Sequence, residues 1–161
     1  MVTKSDIEKK IFSTFSDVAT SLGYSSLHGK IIGVLLVKGK PMSLQELAKE
    51  TGYSTSMISL SSDLLEVLGV VKKIKKTADR KLYIELSSDL LECLKNAIIL
   101  KSRKSIRNTL QDFRSMERKI EKLPPEERKN IKKTISILED QIKRLDKYLK
   151  LIEEIKLPTH S

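Results

Sequence analysis

At 161 residues, with 39% hydrophobic and 32% charged content, the chain suits one folded, well-solvated domain or a small head with a helical extension, and excludes two independent cores. Its 31 Lys and Arg against 21 Asp and Glu leave a net charge of +10, which favours a polyanionic partner, either nucleic acid or an anionic surface. The longest strongly apolar run, Ile31 to Val37, falls far short of the roughly 20 residues that span a bilayer, so no membrane partner is expected. The N-terminus MVTKSDIEKK places charges where a signal peptide needs an apolar centre, and the single Cys93 can form no internal disulfide. Both features point to the cytoplasm. The wealth of charge and scarcity of Asn and Gln also match heat-adapted proteins.

In chain order, the spacing predicts a first helix opened by a capping box at Ser5 and Glu8 and closed by Gly23. Ile7, Ile11, Phe15, Val18 and Leu22 share one of its faces. A second helix runs from about Leu27 to Val37 and breaks at Gly39 and Pro41. Ser43 and Glu46 form another capping box, which opens a short helix with Leu44, Leu47 and Ala48 inward and Gly52 as its stop. After a turn at Tyr53 and Ser54, Ser54 or Thr55 caps a helix whose Ile58, Leu65 and Leu68 share a face until Gly69.

Beyond Gly69 the period changes from helical to alternating. Val70, Lys72 and Ile74 fall on one side of the first run, Leu82, Ile84 and Leu86 on one side of the second, and Thr77 to Arg80 turn between them. These two runs read as a β-hairpin. Ser88 or Asp89 then caps a long helix reaching about Lys122, and Pro124 and Pro125 interrupt it. Glu126 and Glu127 suit the start of a last helix ending near Ile155. In that helix Ile131, Ile135, Leu138, Ile142, Leu145, Leu149 and Ile152 recur at alternating steps of four and three. As a heptad seam they favour a two-stranded pairing. Ile137, Tyr148, Leu151 and Ile155 widen the stripe, and ordinary antiparallel packing on the preceding helix is the other reading.

Helix, turn, helix and a lysine-rich hairpin lie contiguously between Ser43 and Leu86, the order of a winged helix-turn-helix. The segment GYSSLHGKIIGVLLVKGKPMSLQELAKETGYSTSMISLSSDLLEVLGVVKKIKKTADRKLYIEL, Gly23 to Leu86, resembles the MarR superfamily of prokaryotic transcriptional regulators, and within it the GbsR-like branch. SLQELAKETGYSTSMIS, LEVLGVV and ADRKLY carry most of that likeness. The resemblance implies a mainly α fold with a small β-hairpin, in which a winged helix-turn-helix head precedes long C-terminal dimerisation helices. It divides the chain into an N-terminal helix joining the dimer interface (1–25), a DNA-binding domain (26–87) and a helical dimerisation region (88–157, helices about 89–122 and 125–155). It further implies a homodimer bound to operator DNA, and some such regulators are tuned by a small-molecule effector. Ile7, Ile11 and Phe15, with the seam from Ile131 to Ile152, are the expected dimer interface.

STSMISLSSDLLE, Ser54 to Glu66, contains no Lys or Arg, whereas Lys72 to Lys81 hold six. The two stretches divide one task. Thr55, Ser56, Met57, Ser59 and Leu60 are the candidate groove residues, since hydroxyls meet several base edges and apolar groups meet thymine methyls. The helix N-terminus adds free N–H groups and a positive dipole end for phosphate. Relatives often carry Arg or Lys where this helix has Ser59, Leu60 and Asp63, so their base-reading pattern does not carry over. Lys73, Lys75, Lys76, Arg80 and Lys81 are the candidate phosphate contacts, with Arg80 near the tip and suited to a narrow minor groove. Asp79 reads as a brace for a neighbouring arginine.

Catalytic constellations do not emerge. His28 and His160 lie far apart, Cys93 has no ligand partner at metal spacing, and no phosphate-cradling glycine loop or nucleophile elbow occurs, so no cofactor and no enzyme activity are expected. Cys93 reads as a packed thiol before a redox sensor. KSRKSIR, Lys101 to Arg107, reads as a solvated face before the wall of an anion-selecting effector pocket. Two further functions stand beside the dimeric regulator: an architectural DNA-binding protein with little sequence preference, and a winged-helix module that recruits protein.

Overall fold

The computed structural model describes residues 1–87 and 89–159, so Ser88 as a helix cap and His160 in the tail lie outside the described residues. The helices are α1 (Lys4–Ser21), α2 (Ser26–Lys38), α3 (Leu44–Thr51), α4 (Thr55–Val67), α5 (Leu90–Ile120) and α6 (Pro125–Glu154). The strands are β1 (Met42–Ser43), β2 (Val71–Lys75) and β3 (Leu82–Leu86). Among the described residues no helix is long and apolar enough to cross a membrane. The chain divides into two units, 1–97 and 98–161.

Local chemistry explains most boundaries. Ser43 Oγ accepts the N–H of Glu46, while Glu46 takes the N–H of Ser43 at 2.7 Å, the reciprocal box expected there. That second bond, ahead of all other influences, holds the Glu46 carboxyl below its ordinary value. Gly39 and Gly52 end α2 and α3 in the left-handed conformation, which glycine enters without a Cβ clash. The start of α1 differs from expectation. Thr3, not Ser5, is the cap, because its hydroxyl accepts from Asp6 N–H while the Asp6 carboxylate accepts from Thr3 N–H at 2.9 Å.

In the first unit, Ile31, Val34, Leu47, Ile58, Leu65, Val71 and Ile84 are sealed from solvent, joining α2, α3, α4 and the sheet in one core. Each contributes about 1.5–3 kcal/mol by leaving water. The α1 helix packs on α2 through Phe12 and Ala19, which are buried, while Ile7 and Val18 of the expected stripe stay exposed. Two glycines permit this approach. A Cβ at Gly29 would meet the Phe15 carbonyl oxygen at 2.0 Å, and one at Gly33 the Phe12 Cα at 3.2 Å.

The hairpin gains a third strand: β1 pairs antiparallel with β3, giving the order β1-β3-β2. Two residues long and followed at once by a helix cap, β1 carries no alternating signal of its own. The register also changes which residues face inward. Lys73 lies opposite the buried Ile84, and Ile74 opposite Tyr83, so Val71, Lys73 and Lys75 share the Ile84 face and Ile74 does not. Val70 stands outside the strand because its N–H closes the end of α4 on the Leu65 carbonyl at 2.8 Å.

In the second unit, α6 returns antiparallel along α5: Arg103 pairs with Glu153 at 2.5 Å, and Glu121 takes Lys132 and Arg128. Ile106, Ile120 and Leu149 are buried there. Pro125 occupies the first turn of α6, where no helical N–H is needed, and Glu126 and Glu127 meet its positive dipole end.

Candidate nucleic-acid interface

The α4 helix begins where Ser54 Oγ accepts the N–H of Met57 at 3.3 Å, leaving the rest of its first turn free to meet an anion. Thr55, Ser56, Met57 and Leu60 point outward, Leu60 with 73% of its surface exposed, and Ser59 is half-buried. Ser61 and Ser62 turn inward. Ser62 is wholly buried, its hydroxyl donating to the Ile58 carbonyl at 2.7 Å, so the Ser61–Ser62 pair serves packing while the first half of the segment supplies the outward face. The sealed serines therefore leave Thr55 to Leu60 as the surface able to enter a groove.

Farther along the same outward face stand Asp63 and Glu66, and both engage Lys73 of β2. The Lys73 ammonium bonds Asp63 and lies 3.4 Å from Glu66, whose carboxylate also accepts the Lys73 peptide N–H at 3.3 Å. The hydrogen bond the ammonium donates to Asp63 is the largest cause holding the Lys73 pKa above its ordinary value. Its side chain is only 20% exposed. Expected from sequence among the phosphate contacts, Lys73 is engaged by two carboxylates of α4 in a clamp, because the register turns it towards that helix. Nothing in the chain's local pattern signals this. The clamp seats the hairpin beside the C-terminal half of the α4 face.

The other wing cations are open to solvent, Lys75 at the tip end of the Ile84 face. Lys75, Lys76, Arg80 and Lys81 are exposed and, among the described residues, form no ion pair. The Lys76 ammonium sits over the Tyr83 ring, 4.1 Å from its centroid. Arg80 adopts φ 55°, the left-handed region that closes the tight turn at the tip. Asp79 is a brace, but for Tyr83 rather than an arginine: the Tyr83 hydroxyl donates to it at 2.6 Å and the Lys81 N–H at 3.1 Å. The Tyr83 bond chiefly keeps the Asp79 carboxyl below its ordinary value, and in return raises the Tyr83 phenol.

The expected dimer residues divide. Ile7 is exposed, Ile11 half-buried, and Phe15 half-buried with its ring beside Gly33. On α6, Ile135, Ile142 and Ile152 are half-buried and Leu149 buried, whereas Ile131, Leu138 and Leu145 are 39%, 43% and 45% exposed. One edge of the heptad seam is thus used within the chain and the other is open.

An apolar cavity of about 380 Å³ lies in the first unit, lined among others by Phe15, Leu22, Ile32, Leu68, Cys93 and Leu94. Cys93 is buried, with its thiol 3.6 Å from the Gly69 carbonyl. His28 Nδ1 accepts the Ser25 N–H at 3.1 Å and contacts its hydroxyl at 2.8 Å, a capping role. Among the described residues no cluster of three or more His, Cys, Asp or Glu could hold a metal ion. In KSRKSIR, Arg103 is committed to Glu153, while Lys104 and Arg107 face solvent.

No protein-family model and no curated protein matches the chain. Solved structures do. A protein described as a transcriptional regulator is 22% identical over 89% of this chain and 93% of its own, with a TM-score of 0.56. AbsC, a MarR family transcriptional regulator from Streptomyces coelicolor, is 18% identical over 89% and 97%, with a TM-score of 0.43. The S. aureus MepR F27L mutant bound to an oligodeoxyribonucleotide is 15% identical over 88% and 99%, also at 0.43. The architecture of mostly helices with a small three-stranded antiparallel sheet is therefore a fold shared with the first of these structures.

Proposed function

We propose that the chain is a homodimeric DNA-binding transcriptional regulator of the MarR superfamily, in its GbsR-like branch. The observation that carries this reading is the juxtaposition at α4. An uncharged outward face, Thr55 to Leu60, ends where Lys73 ties β2 alongside it, and four exposed cations follow on the same hairpin. A neutral helix that enters the major groove and a cationic wing on phosphate or in the minor groove use both surfaces. Each wing cation that neutralises a phosphate steepens the log-log salt dependence by about 0.9. The open edge of the α6 seam, Ile131, Leu138 and Leu145, supports pairing with a second copy, which would set two recognition helices on half-sites roughly 34 to 36 Å apart.

The test compares random and selected duplexes across a salt series. A regulator retains a large specificity ratio, and a Lys75→Ala/Lys76→Ala/Arg80→Ala variant loses affinity and salt slope on both duplexes. Wild-type binding by that variant refutes the wing's role, and a sedimenting monomer at micromolar concentration refutes the dimer. The architectural alternative draws support from Asp63 and Glu66, which place carboxylates on the outward α4 face and leave few side chains able to discriminate bases. A specificity ratio near one would favour it.

A further inference from the structure

Most of the net charge lies away from the wing. Residues 98–161 hold 17 Lys and Arg against 10 Asp and Glu, so seven of the ten net positive charges belong to the helical unit. On α5 they are ordered. At 100° per residue, Lys104, Arg107, Arg114, Arg118 and Lys122 fall within one outward sector, and every one of them is exposed. Of the carboxylates of this stretch, Asp112 and Glu117 lie outside that sector, while Glu121 borders it beside Arg114 and is already engaged by Lys132 and Arg128 of α6. Among the described residues none of the five cations makes an ion pair. The opposite face of α5 is the apolar one, with Ile106 and Ile120 buried.

We infer that this face of α5 is a second surface for double-stranded DNA, gripping phosphates without reading sequence. Lys104 with Arg107, Arg114 with Arg118, and Arg118 with Lys122 are like charges three or four residues apart, a repulsion that a polyanion relieves. From Lys104 to Lys122 the ladder extends about 27 Å along the helix axis. A duplex offers one charge per roughly 1.7 Å, so each rung finds a phosphate within side-chain reach. Three of the five rungs are arginines, whose planar forks suit phosphate oxygens. A bilayer is the poorer occupant: a helix that settles in a membrane inserts an apolar face, whereas the face presented here is a row of cations and Ile106 and Ile120 opposite it are buried. The inference does not depend on how α4 reads DNA.

The test uses the full chain and a random-sequence duplex in a salt titration. Lys104→Gln/Arg107→Gln/Arg114→Gln/Arg118→Gln is expected to flatten the log-log slope by up to about 3.6 per protomer and to weaken binding at least tenfold at low salt. A charge-matched control on α6, Lys129→Gln/Lys133→Gln/Lys143→Gln/Lys147→Gln, should lose less than half as much. Lysine acetylation of the unmodified protein gives a readout free of mutation, with bound duplex protecting Lys104 and Lys122 more than Lys143 and Lys147. An unchanged slope in the α5 variant, equal losses in both quadruple variants, or equal labelling with and without duplex overturns the inference. So does an α5 variant that loses only its binding to vesicles of anionic phospholipid. If the wing variant binds as wild type while the α5 variant fails, the reading of the head falls and this one stands.

Discussion

Replacing Lys73 with methionine removes the clamp's charge while keeping an unbranched stem of similar length. The ammonium it deletes bonds Asp63 and lies 3.4 Å from Glu66. At that separation the Coulomb energy is about 1.2 kcal/mol at the dielectric of water and about 5 kcal/mol at an effective value of 20. Asp63 and Glu66 are 58% and 46% exposed, which sets the pairs near the aqueous limit, and ordering three side chains costs entropy. A coupling of about 0.5–1 kcal/mol between Lys73 and Asp63 follows. A double-mutant cycle of Lys73→Met and Asp63→Asn, read by urea unfolding, measures it. Because the folded pKa of Lys73 is raised, the coupling is full below the ordinary lysine value of 10.5 and is lost as pH climbs through the folded value. In DNA binding, Lys73→Met should leave the salt slope unchanged. Additive mutational effects, or a slope reduced by about 0.9, would refute the clamp and return Lys73 to the phosphate contacts.

Four further outcomes are expected. Gly29→Ala forces a Cβ against the Phe15 carbonyl; overpacking at the upper end, about 3 kcal/mol, less about 1 kcal/mol for better helix propensity, leaves about 2 kcal/mol of destabilisation in urea. Gly33→Ala, facing only a 3.2 Å contact, should stay within about 1 kcal/mol of wild type, and equal stability of the two variants would contradict the α1–α2 approach. Ser43→Ala removes the α3 cap at a cost of about 1 kcal/mol near neutral pH. The depressed Glu46 pKa makes its carboxylate's contribution full above the ordinary value of 4.5 and lost as pH falls through the folded value; its main donor, the residue 43 backbone N–H, survives in Ser43→Ala, so variant and wild type should both weaken in acid with the gap nearly constant. Asp79→Asn should return the Tyr83 phenol towards its ordinary pKa of 10.0 in a spectrophotometric titration, and an unmoved Tyr83 would exclude the bond at the wing tip.

The sequence by itself determined the features that arise from neighbouring residues. Ser43 with Glu46, Gly39, Gly52 and Gly69, and Pro124 with Pro125 act within one or two turns of chain, so helix boundaries and the helix-turn-helix-hairpin order were legible before any coordinates. Even at short range, competition between near-equal caps misled: Thr3 and Ser5 both precede an acid three residues on, and only backbone geometry selects Thr3. Tertiary structure decided what depends on distant pairing. The two-residue β1 exists because β3 supplies its partner, and the register against β3 turns Lys73 away from solvent and towards two carboxylates on α4. Packing against α2 buried Phe12 and left Ile7 exposed, although both are apolar residues of one helix. A charge run in sequence states how many cations are present. Which of them keep their charge for a partner depends on the carboxylates that folding brings within reach.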